Sequence, residues 1–131
     1  MKAPLLTISL CLLLAGVAQA DSLNVRLLGS YDTPDRACGV AVAGDYAYVA
    51  AAGWGLRVIS VTDPVHPAEV GYYDTPDLAY GVAVSGDYAY VADGDSGLRV
   101  ISVADPAHPS EVGYCDPPGR AEGVAVSGDY A

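Results

Sequence analysis

The chain has 131 residues, with 16 acidic and 6 basic side chains and a formal charge of −10. A surface of that sign repels phosphate backbones and anionic headgroups, which argues against a nucleic-acid binder or a protein that coats bilayers. A hydrophobic fraction of 52% excludes a disordered acidic tail, while 15 glycines, 9 prolines and 10 tyrosines without any phenylalanine point to a turn-rich, all-β chain.

Met1-Lys2 is a short positive start, Leu5 to Val17 is an apolar run, and Ala18-Gln19-Ala20 places small residues before Asp21. This layout predicts a secretory signal peptide over residues 1–20, cleaved after Ala20. The run is shorter than the ~20 apolar residues a membrane span needs. Leu10, rather than a small residue, precedes Cys11, which argues against a lipoprotein signal. The mature chain, residues 21–131, is therefore expected to be exported (periplasmic, on the cell surface or secreted) with no stable membrane span. Cleavage leaves Cys38 and Cys115, too few for a disulfide framework and without the spacing of a zinc site.

The remainder is a repeat of 42 residues without gaps. Gly39-Val40-Ala41-Val42 recurs at Gly81 and at Gly123, and Asp45-Tyr46-Ala47-Tyr48-Val49-Ala50 recurs at Asp87. Gly55-Leu56-Arg57-Val58-Ile59-Ser60-Val61 recurs at Gly97, and residues 29–70 match 71–112 at 31 of 42 positions. Each unit reads as four short strands: Cys38 to Val42, Tyr46 to Ala51, Leu56 to Val61 and Glu69 to Tyr73. A tight turn at 43–45, a Gly-rich turn at 52–55 and the rigid Asp63-Pro64-Val65-His66-Pro67 connection separate them. Four strands per ~40–45 residues is the period of a β-propeller blade, which buries both faces against its neighbours. A β-helix is the rival architecture, though its coils are usually shorter.

The Gly-Leu-Arg-Val-Ile-Ser-Val-x-Asp-Pro-x-His-Pro core and the Gly-Asp-Tyr-Ala-Tyr-Val-Ala strand together resemble the LVIVD repeat family over residues 23–131. Ser60 and Ser102 depart from the Asp usual in that pattern. The resemblance implies propeller blades in an exported or surface protein of bacteria or archaea, and it is nearly silent on activity. On this reading residues 23–32 are a closing outer strand, 38–73 the first blade, 80–115 the second and 122–131 the start of a third. A ring of four or more blades needs at least about 170 residues, so the expectation is an incomplete ring, from a truncated product or a ring shared among several chains. Cys38 and Cys115 fall in different blades at different distances from the axis, so free thiols are expected.

The candidate chemistry is thin. Gly94-Asp95-Ser96-Gly97 matches the tetrapeptide around a serine-protease nucleophile, but the first unit reads Ala52-Gly53-Trp54-Gly55 in the same slot. Both histidines, His66 and His108, sit at one repeated turn position, so no triad is expected. Asp93-Gly94-Asp95-Ser96-Gly97 also resembles the start of a calcium loop, with Asp93 and Asp95 as the only metal candidates. The first unit has Ala51 and Gly53 there and no closing Glu follows, so a solvated hairpin turn is the expected reading. No catalytic residue and no cofactor is predicted.

One functional clue lies in where the repeats differ. The drastic changes fall at 51–54 against 93–96, and at Arg36 and Cys38 against Leu78 and Tyr80. Those are the second-to-third loop and the fourth-to-first crossover, which a propeller presents on one face. Trp54, Arg36, Tyr80, Asp93 and Asp95 are therefore the binding-face candidates, with neutral loop drift as the alternative. The sequence predicts a module that binds a protein or cell-surface partner. The alternatives are a propeller enzyme whose catalytic residues lie in further blades and a structural array of a larger surface protein.

Overall fold

The computed structural model describes residues 26–131, so the expected signal peptide lies outside the described residues. Eight strands form two sheets. The first blade comprises β1 (Gly39–Ala43), β2 (Tyr46–Ala50), β3 (Leu56–Ser60) and β4 (Ala68–Tyr73). The second comprises β5 (Gly81–Ser85), β6 (Tyr88–Ala92), β7 (Leu98–Ser102) and β8 (Ser110–Cys115). Each sheet is antiparallel in simple sequence order, β1-β2-β3-β4 and β5-β6-β7-β8, and the described residues contain no helix. Strand bounds fall within a residue of those read from the repeat.

The ladder assigns the faces. Ala41 lies opposite Tyr48, and Tyr48 opposite Val58. With period-2 alternation, Tyr46, Tyr48, Ala50, Leu56 and Val58 therefore share one face, and Val40, Val42, Ala47, Val49, Arg57 and Ile59 share the other. The first face packs against Val82, Ala89, Val91, Ile101 and Val103 of the second blade, so the core lies between sheets. Leu56, Val58, Val91 and Ile101 are fully buried there, each contributing roughly 1.5–3 kcal/mol. Val40 and Val82 occupy the same repeat position in the same register. Val82 is 8% exposed against the first blade, whereas Val40, with no sheet on its side among the described residues, is 63% exposed. The neighbour creates the burial.

Backbone meets backbone where the sheets touch. A Cβ on Gly39 would come 3.1 Å from the Cα of Gly81, and one on Gly81 would come 3.1 Å from the Cα of Gly123. At the outer strand, a Cβ on Gly71 would collide with the carbonyl oxygen of Pro106, and one on Gly29 with that of Pro64. Residues 26–32 thus lie against the first blade where an outer strand belongs. They carry no strand ladder, because no third strand to pair with is among the described residues. Residues 122–131 begin a third unit on the second blade and turn back through a Ser127–Tyr130 bridge. The described residues form two propeller-type blades packed face to face and the beginning of a third unit.

The connections between β3 and β4, and between β7 and β8, are held by their first aspartates. Asp63 accepts the Val65 N–H at 3.1 Å and pairs with His66 Nδ1 at 2.9 Å; Asp105 accepts the Ala107 N–H at 3.1 Å and pairs with His108 Nδ1 at 2.8 Å. These bonds, the His contact first, hold both carboxyls below the ordinary aspartate value of 3.8.

Two outcomes follow. Gly71→Ala is expected to lower stability by about 1–3 kcal/mol in urea denaturation, since the Pro106 backbone cannot yield. Gly113→Ala, whose surroundings are open to 4 Å, serves as the matched control and is expected to cost little. Because the folded Asp63 and Asp105 titrate below 3.8, their contribution is complete above that pH and is lost as pH falls through their folded values. The urea midpoint should hold down to about pH 4 and then drop, and Asp63→Asn with Asp105→Asn should make the drop shallower.

Candidate functional site

The β2–β3 and β6–β7 loops emerge at the same end as the β4–β5 crossover and the chain after β8. Main-chain bonds fuse them. Ala52 and Ala79 exchange N–H···O bonds of 3.1 and 3.0 Å, and Gly94 and Ala121 exchange bonds of 3.0 and 2.9 Å. The loop of each blade is therefore tied to the crossover that leads to the next.

Aspartates add a second set of ties. Asp35 accepts the Arg36 N–H at 2.7 Å and the Gly53 N–H at 3.1 Å, and these donors hold its carboxyl below the usual aspartate range. Its repeat partner Asp77 accepts the Asp95 N–H at 2.6 Å. Asp93 in turn accepts the Asp77 N–H at 3.0 Å through Oδ2. The turn at 93–97 is thus solvated only at Asp95 and, in part, Ser96, rather than throughout as the sequence suggests. The crossover covers it, and Asp93 is 0% exposed, with Oδ1 lacking a protein partner. Asp95 is exposed, its Oδ1 3.7 Å from Arg120 Nε. Among the described residues no three His, Cys, Asp or Glu side chains converge to hold a metal ion.

The differences between repeats prove to be matched across the blade boundary. Leu78 from the crossover lies over Gly53, its Cδ2 3.6 Å from where a Cβ would stand. One repeat later Arg120 replaces Leu78 and Asp95 replaces Gly53, turning an apolar contact into an ion pair. Arg120 also donates to the Tyr80 hydroxyl and lies 5.1 Å from that ring's centroid. Two binding-face candidates, Tyr80 and Asp95, are therefore joined through an arginine that the sequence does not single out. Arg36, at the same repeat position, is exposed and makes no ion pair among the described residues. Cys38 is an exposed free thiol whose Sγ lies 3.7 Å from the Arg36 carbonyl; Cys115 is likewise exposed and free.

Trp54 stands apart from these ties, half exposed at the outer corner of the first loop, and sits on Arg57. The Arg57 guanidinium carbon is 5.2 Å from the Trp54 centroid and 4.6 Å from that of Tyr72. A bulge brings this about. The β3–β4 register passes from Val58↔Gly71 to Ile59↔Glu69, leaving Val70 as the extra residue. Tyr72 and Glu69, three apart, consequently share the Arg57 face. Glu69 Oε2 lies 3.7 Å and Asp74 Oδ1 3.5 Å from the guanidinium, and the Tyr31 hydroxyl donates to Glu69 at 3.3 Å. Burial, and then the Glu69 charge, push the Tyr31 phenol up. Arg57 itself is 3% exposed. Arg99 repeats the arrangement with Glu111, Asp116 and Tyr114, but Ser96 replaces the tryptophan. The missed signal was a charged residue repeated inside an apolar strand, Leu-Arg-Val-Ile.

A family model described as LVIVD repeat matches residues 35–75, 78–117 and 118–131, boundaries that fall in the crossovers. No curated protein matches the chain.

Trp54→Ala removes one of two rings over Arg57 and should cost no more than ~1 kcal/mol. Arg57→Ala strands Glu69 and should cost about 3 kcal/mol. Urea denaturation of the two variants checks the order; equal losses would mean that the tryptophan is itself the packing element.

Proposed function

We propose that this chain, which belongs to the LVIVD repeat family, is an exported propeller-type module that binds a protein or cell-surface partner through its loop face. No catalytic centre of its own enters this reading. Export is supported by the charge, apolar run and small-residue site of residues 1–20.

The observation that carries the binding reading is the distribution of difference between otherwise near-identical blades. Repeats that agree at 31 of 42 positions place most of their drastic differences at the loops and crossovers of one face, Ser30 against Tyr72 in the outer strand standing apart from them. Some of that variation is absorbed by seam pairs, namely Leu78 with Gly53 and Arg120 with Asp95 and Tyr80. Arg36 and the outer side of Trp54 remain as exposed features without such a pairing. Aromatic and arginine side chains are the types most often found to dominate binding energy at interfaces.

The test uses the full chain expressed with residues 1–20 in a bacterial host. The product outside the cytoplasm should begin at Asp21, and it should be retained on intact envelopes. Arg36→Ala with Trp54→Ala should release it, whereas His66→Ala with His108→Ala, at the opposite end of the strands, should not. An uncleaved cytoplasmic product would overturn the export reading, and equal retention of both variants would overturn the loop-face reading.

A further inference from the structure

We draw no further inference here: the strongest candidate, the cluster of Asp77, Asp93 and Asp95 where the β4–β5 crossover covers the 93–97 turn, leaves the buried Asp93 Oδ1 without a protein partner but, among the described residues, brings no three acidic side chains together around an ion, so nothing in the structure shows what would occupy it.

Discussion

Adjacent sheets in this molecule touch through their backbones, and the rest of the structure depends on that proximity. The inner contact is Gly39 on Gly81 on Gly123; the outer is Gly29 or Gly71 against the proline carbonyl of the following unit. Between these two lines the sheets lie close enough for Tyr48, Leu56 and Val58 to interdigitate with Val82, Val91 and Ile101. A side chain at either line would hold the sheets apart and open the apolar layer between them. The repeat is accordingly most uniform at these glycines and at the strands that fill the gap.

The same spacing accounts for the buried arginines. Arg57 occupies a strand position whose neighbours on its face are valine, alanine and isoleucine, where an unpaired charge would be costly. The β4 bulge resolves this by turning both Glu69 and Tyr72 to the arginine, and the segment before the first blade adds Tyr31. The carboxylates stand 3.5 and 3.7 Å away and Nε has no partner, so the ring contacts account for much of the guanidinium's cover. That is why the corner carries exposed aromatics at all.

Much of the architecture was legible from residue order. The strands follow from runs of Val, Ile, Tyr and Ala bounded by Gly, Asp and Pro, and the blade from their 42-residue recurrence. The family resemblance rests on the same residues and agrees with the match over 35–131. The site was legible only in outline. Placing variation on one face needed topology alone, but the partners within that face needed coordinates. Asp95 and Arg120 are 25 positions apart in the chain and meet only because adjoining blades share a seam. Asp93 looked like a solvated turn residue because nothing local reveals that a crossover 16 positions earlier will cover it. The pairing of Arg57 with Glu69 and Tyr72 was hidden by the bulge, since simple alternation puts residues three apart on opposite faces.

The seam pairs bear on how such a molecule assembles without error. Tandem units that are nearly identical are prone to docking on the wrong neighbour during folding, since their broad surfaces cannot tell one copy from another. Leucine over glycine at one junction, and arginine against aspartate at the next, are among the few contacts here that differ from junction to junction. Exchanging units would set leucine over a carboxylate or leave an arginine facing bare glycine. The small divergence between duplicated segments thus gives each junction a contact that the other does not make.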